Sequence, residues 1–164
     1  ATLVALGALS ASVGRAAAQA GDSSQHAHHA GMSHDSAFAA MQARGQHAMG
    51  VDQYTSMHQF EALPDGGRIT LERAVDDSAG VAQIRRHMRE IAQSFQGGDF
   101  STPFFVHDTV VPGTGVMKAK RGVIAYSAGD PPRGAYVRIT TRDPAALTAV
   151  HDFLAFQRRE HRSN

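Results

Sequence analysis

The chain has 164 residues, ten of them histidine and none cysteine, and its 16 Lys and Arg against 15 Asp and Glu give a formal charge of +1. This length favours one domain with a single core. Without cysteine the chain has no disulfide framework, thiolate nucleophile or Cys-ligated metal site. The balanced charge argues against a nucleic-acid partner, because such binding rests mainly on neutralising phosphates.

The first twenty residues have the pattern of an export signal. An apolar run over 1–14 leads to Ala18-x-Ala20 and then to the polar pair Gly21-Asp22, which is the order found around a signal-peptide cleavage site. The run is too short for a transmembrane helix. The sequence therefore predicts a signal peptide over 1–20, no transmembrane segment after cleavage, and a periplasmic or secreted protein.

Residues 21–50 are rich in Gly, Ser, Gln and Ala and poor in branched aliphatic side chains. Such a segment buries too little apolar surface to offset the entropy of ordering, so we expect a disordered arm. Five of the ten histidines lie here with interleaved methionines, a composition typical of metal binding. A soluble low-complexity tether explains the composition equally well. If the arm binds metal, its weak ligands are His26, His28, His29 and His34.

Residues 51–164 are expected to form one domain, which opens with a hairpin and a helix. Strand-like patterns over 54–60 and 68–75 flank the turn-forming run Pro64-Asp65-Gly66-Gly67. Asp76, Asp77 and Ser78 are N-cap candidates for a helix that ends near the Gly97-Gly98 pair. Its apolar stripe has helical spacing and consists of Val81, Ile84, Met88, Ile91 and Phe95.

The second half predicts more strands and a final helix. Residues 104–107 have strand character and precede a turn over 112–115, and two further strand candidates cover 122–127 and 135–141. Asp143-Pro144 supplies an N-cap followed by proline at the first helical position, so a helix should run to about His161. The order predicts an α+β, two-layer sandwich, in which an antiparallel sheet of 4–5 strands carries both helices on one face.

Imidazole and thioether groups are the remaining borderline and soft donors in a chain without thiolates, and together they suit copper first and zinc second. On the last helix, His151 and His161 share the sheet-facing stripe but lie about 15 Å apart, too far to bind one ion. We read Met88 as core packing. The candidate ligands are His58, His87, His107, Met117, His151 and His161, with His87, His107 and His151 ranked first. Core histidines hydrogen-bonded in separate places are the alternative.

Catalysis has less support, because the chain carries no Gly-x-Ser-x-Gly, no phosphate-binding glycine loop and no His-Glu-x-x-His motif. His107 with Asp108 and a second histidine would form an acid–base site only if the fold joins them. We therefore lean against an enzyme.

Several short motifs are spread over residues 52–161: Ile84-Arg85-Arg86-His87-Met88, Phe95-Gln96-Gly97-Gly98-Asp99-Phe100, Thr141-Arg142-Asp143-Pro144 and Ala149-Val150-His151. In these the chain resembles a family of small exported bacterial proteins of uncharacterised function. Members carry histidines at the positions of His58, His87, His107, His151 and His161, so the resemblance implies that the five act as a set. Some members are labelled aspartate carbamoyltransferase. That enzyme has a Ser-Thr-Arg-Thr phosphate motif, which Thr140-Thr141-Arg142-Asp143 resembles only faintly. Where the family has a Met-Pro-Gly motif, this chain has Val111-Pro112-Gly113 and so lacks the methionine.

Three hypotheses follow. The first is an exported, periplasmic metal-binding protein that sequesters or delivers copper through a histidine site. The second is an interaction module without metal that contacts another envelope protein. The third is a small hydrolase with His107 as its base.

Overall fold

The computed structural model describes residues 23–51 and 55–163, with side chains from residue 35 onward. The expected signal peptide over 1–20 lies outside these residues. The helices are α1 (Ser23–Met49), α2 (Ser78–Gly97), α3 (Ser101–His107), α4 (Thr114–Ala119) and α5 (Pro144–Glu160). The strands are β1 (Ser56–Leu63), β2 (Gly66–Arg73), β3 (Ile124–Gly129) and β4 (Gly134–Thr141), and a 3-10 turn over Arg121–Val123 precedes β3.

The strands form one antiparallel sheet in the order β1-β2-β4-β3. Helix α2 packs against β3 and β4, and α5 packs against β1 and β2. The predicted α+β sandwich is confirmed, and in the described ranges the sheet has four strands. Within those ranges, no helix combines the length and the apolar character that crossing a bilayer requires.

Alternation along the central strands explains why one face of the sheet is covered. Leu71 on β2 and Val137 on β4 are completely buried, whereas their neighbour Thr70 turns to the other side, as the two-residue period of a strand requires. The stripe of α2 meets this face with Ile84 and Phe95 buried. The sheet and the two long helices thus share one core.

The helix ends follow the predicted capping residues. The Asp77 carboxylate accepts a hydrogen bond from the Gly80 amide, and Gly98 ends α2 in the left-handed conformation at φ 80°. The Asp143 carboxylate accepts from the Ala146 amide ahead of α5, and Pro144 takes the first helical position. These caps satisfy amides that a helix start leaves without partners.

The prediction of a strand over residues 104–107 is wrong, because Ser101–His107 is helical. Two phenylalanines and a valine in a row have high strand propensity. However, the Asp99 carboxylate accepts a hydrogen bond from the Ser101 amide at 2.8 Å, and Pro103 is tolerated in a first helical turn. The change matters for function, since it places His107 at the end of a helix, where it contacts Phe156 and Gln157 of α5.

Helix α1 differs from the disordered arm expected over 21–50. Alanine favours helix, and Met41 and Met49 are buried against the domain. Polar bonds hold the helix there: Arg44 Nε donates to the Val106 carbonyl at 2.8 Å and Gln83 Nε2 donates to the Met49 carbonyl at 3.0 Å. The side chains of His26, His28, His29 and His34 lie outside the described residues, so their role as weak ligands stays a prediction.

The shared core predicts a strong effect of shortening Leu71, whose side chain is 0% exposed. We expect L71A to lower the free energy of unfolding by about 2–5 kcal/mol, because it removes buried methyl groups and leaves a cavity. Urea unfolding followed by circular dichroism measures the change. The neighbouring T70A variant, on the opposite face, should lose far less, and equal losses in the two variants would contradict the arrangement.

Candidate functional site

A small cavity of about 80 Å³ lies between the sheet, α1, α2, α3 and the end of α5. Its walls are mainly apolar and include Phe60, Leu71 and Phe153. Four of the ten histidines line this one cavity, namely His58, His87, His107 and His161. The described lining residues include no carboxylate.

Each of these histidines comes from a different element. His58 lies on β1 opposite Leu71, so it shares the inward face of the strand. His87 is buried on α2, three residues after Ile84, while His107 ends α3 and His161 follows α5 as its C-cap. Only the tertiary fold brings together side chains so far apart in sequence.

His161 is the ring that the other imidazoles surround. Its centroid lies 4.8 Å from that of His58, with 29° between the ring planes. The centroid of His107 lies 5.1 Å from that of His161, and the two rings are nearly perpendicular at 88°. Phe60 adds an apolar contact at 5.2 Å. Three imidazoles therefore form a continuous cluster.

The hydrogen bond of His107 fixes which of its nitrogens carries the proton. Its Nε2 lies 2.9 Å from Gln157 Oε1. An amide oxygen only accepts, so Nε2 donates and the neutral ring keeps its lone pair on Nδ1. Gln157 is itself buried and lines the cavity. It orients His107 without adding charge.

Burial keeps the cluster neutral. It lowers the pKa of His58 to about 4, with a smaller effect of the neighbouring His87. It lowers the pKa of His161 to about 2, reinforced by His58 and His107. Burial also lowers the pKa of His87 against the opposing pull of Glu90. These rings therefore offer lone pairs, the form in which imidazole binds a metal.

The pKa of His107 is also lowered, although more of its neighbours act to raise it. Burial lowers its pKa, while the hydrogen bond to Gln157 and the charge of Glu160 raise it, and Arg44 lowers it again. His87 is the most buried of the four, and the other three are half-buried. The cluster is therefore not fully closed off from solvent.

His151 does not belong to this cluster, contrary to its first ranking. Its Nε2 donates to the carbonyls of Leu63 and Gly66 at 2.9 and 3.1 Å. These bonds connect α5 to the turn between β1 and β2, which is a structural role. His87 and His107, ranked with it, do line the cavity.

The methionine prediction also needs correction. Met117 on α4 is fully buried in the core, and it is not among the described residues that line the cavity. The thioethers present there are those of Met49 and Met88. The predicted packing role of Met88 is confirmed, because Met88 is buried in the core cluster, and it also borders the cavity. Met49 is buried in the same cluster, although it lies in the segment expected to be disordered.

Within residues 23–51 and 55–163, no three His, Cys, Asp or Glu side chains are already arranged to hold a metal ion. No family model, curated protein or solved structure matches the chain.

The neutral cluster predicts a pH-dependent stability. Unfolded histidines take up protons near pH 6.5, whereas folded His58 and His161 resist until about pH 4 and 2. The unfolded state binds more protons as the pH falls below 6.5, so the free energy of unfolding should decrease from pH 7 toward pH 4. Urea unfolding across this range measures the slope.

The double variant H58Q/H161Q should have a shallower slope than the wild type. The M88L variant changes the same cavity without a titrating group, so it should keep the wild-type slope. An unchanged slope in the double variant would show that these two rings are not buried in their neutral form.

Proposed function

We propose that this protein binds one Cu(I) ion in the cavity and, as an exported protein, sequesters or delivers copper. The ring nitrogens of His161, His58 and His107 would be the main ligands. His87 and the thioethers of Met49 and Met88 are the further donors within the same lining. The observation that carries the proposal is the convergence of neutral imidazoles from separate elements on one apolar cavity.

The ring spacing supports a shared ion. With metal–nitrogen bonds near 2 Å, the centroids of two imidazoles at a tetrahedral angle lie about 5 Å apart. The centroids of His58 and His107 lie 4.8 and 5.1 Å from that of His161. Binding would require the rings to rotate so that their lone pairs meet at a common point. The free Nδ1 of His107 suits this role, because Gln157 already occupies Nε2.

The charge of the lining favours a monovalent ion. The described lining residues provide no carboxylate to neutralise a cation, and the cost of burying charge rises steeply in an apolar medium. Burying a divalent ion such as Zn(II) in this cavity would therefore cost much more free energy than burying Cu(I). The thioethers in the lining also favour Cu(I), because soft sulfur donors select this ion. Zinc is the second candidate.

The segment before the cavity fits capture of the ion. Helix α1 runs from Ser23 to Met49, so the histidine-rich stretch over 26–34 belongs to the same helix as Met49, a residue of the lining. An export signal over 1–20, if cleaved, would leave this stretch near the new N-terminus. We propose that it collects copper weakly and the cavity binds it tightly.

A hydrolase is less well supported, since the hydrogen-bond partner of His107 is the uncharged Gln157. A general base of this kind is usually oriented and activated by a carboxylate. An interaction module needs no such cavity, so the convergence of imidazoles would have no role in it.

Titration of Cu(I) against a competing chelator tests the proposal. The reference protein carries glutamine at positions 26, 28, 29 and 34, so that only the folded site is measured. We expect one Cu(I) per chain, and H161Q should weaken binding by about 100-fold or more, because losing even a residue that orients a ligand costs 10–100-fold.

The H47Q variant is the matched control, because His47 is an exposed histidine on α1 that contacts Phe105 rather than the cluster. It should bind Cu(I) like the reference protein. Affinity that is unchanged in H161Q and in the triple variant H58Q/H107Q/H161Q would remove the folded site, and tighter binding of Zn(II) than Cu(I) would overturn the choice of metal.

A further inference from the structure

A second cleft, of about 460 Å³, also borders His107. Its walls come from the middle of α1 and from the end of α5. The described lining residues include three arginines and one carboxylate, and His107 borders both this cleft and the histidine cavity. The described residues that line it are Ala37, Phe38, Met41, Arg44, His107, Arg159, Glu160 and Arg162.

Arg44 is the best-positioned of the three guanidinium groups. Its Nε donates to the Val106 carbonyl at 2.8 Å, a neutral partner that uses one of five donors and leaves the positive charge uncompensated. The bond also fixes the plane of the group at the cleft. The positive charge of Arg44 also acts on His107, where it contributes to the lowered pKa of the ring.

The other two arginines are partly compensated. Arg159 Nε pairs with Glu160 at 3.2 Å, with both side chains exposed, and Arg162 pairs with Asp35 at 3.0 Å. Three positive charges therefore meet two negative ones, and an excess positive charge remains around the cleft. Planar guanidinium groups match the geometry of an oxyanion.

The rest of the wall is apolar. Phe38 and Met41 line the cleft, and Met41 is buried while Phe38 is held under the Arg162 guanidinium at 4.2 Å. A volume of about 460 Å³ lies in the range of sites for small organic molecules. A bare inorganic anion would leave this wall without contact.

We propose that the cleft binds a small organic carboxylate. Its carboxylate would lie against the guanidinium groups of Arg44 and Arg159, and its hydrocarbon part against Phe38 and Met41. Copper is not required for this binding, so the proposal stands independently of the metal site.

The test uses the full chain without metal and phenylacetate as the probe, with binding measured by calorimetry and by the amide shifts of α1 and α5. We expect phenylacetate to bind and its neutral isostere phenylacetamide to bind at least about tenfold more weakly, because the amide lacks the charge. Inorganic phosphate should also bind more weakly than phenylacetate.

Two variants make the site specific. R44Q and R159Q should each weaken phenylacetate binding by about fivefold, near the upper range for partly exposed charge pairs. Arg159 is exposed, so its replacement leaves the fold intact should R44Q disturb α1. The R86Q variant, at an exposed position on α2, is the matched control and should bind like the wild type.

Equal binding of phenylacetate and phenylacetamide would overturn the proposal, as would wild-type affinity in the R44Q/R159Q double variant. Tighter binding of phosphate than of phenylacetate would overturn the assignment of an organic ligand. None of these results depends on Cu(I), so failure here is distinguishable from failure of the copper site.

Discussion

Desolvation of imidazole is the constraint on which this structure depends. A neutral ring is much cheaper to bury than a charged one, and His58, His87 and His161 all have lowered pKa values for this reason first. The same burial that removes the protons leaves an unprotonated nitrogen on each ring beside a mainly apolar cavity. Desolvation therefore accounts both for the expected pH dependence of stability and for the lone pairs that the rings can offer a metal. A fold that needed only a core would more simply fill this position with aliphatic side chains.

Every layer of the fold contributes residues to the cavity. The sheet supplies His58, α2 supplies His87, and the ends of α3 and α5 supply His107 and His161. Helix α1 closes the site with Met49 and is held to α3 through the bond from Arg44 to the Val106 carbonyl. That same arginine lines the outer cleft. Among the described residues, His107 lines both the histidine cavity and the outer cleft, so the two sites meet at this ring.

Local signals predicted much of this fold and little of the site. The stripe of α2, the Asp77 cap and the Asp143-Pro144 start of α5 follow from side chains near in sequence. Strand propensity misassigned α3, where the hydrogen bond between the Asp99 carboxylate and the Ser101 amide and tertiary packing prevail. Helical geometry correctly separated His151 from His161, but it could not tell which of them meets other histidines. That depends on the turn carbonyls of Leu63 and Gly66, which occupy His151.

Long-range proton–nitrogen NMR of the histidine rings, with and without Cu(I), examines both halves of this interpretation in one sample. At pH 5 the rings of His58 and His161 should still be neutral, since their pKa values are about 4 and 2. One equivalent of Cu(I) should then shift one ring nitrogen in each of His58, His107 and His161 and leave His151 unchanged. Charged rings at pH 5, or a spectrum in which Cu(I) moves only histidines of the N-terminal segment, would contradict a buried copper site.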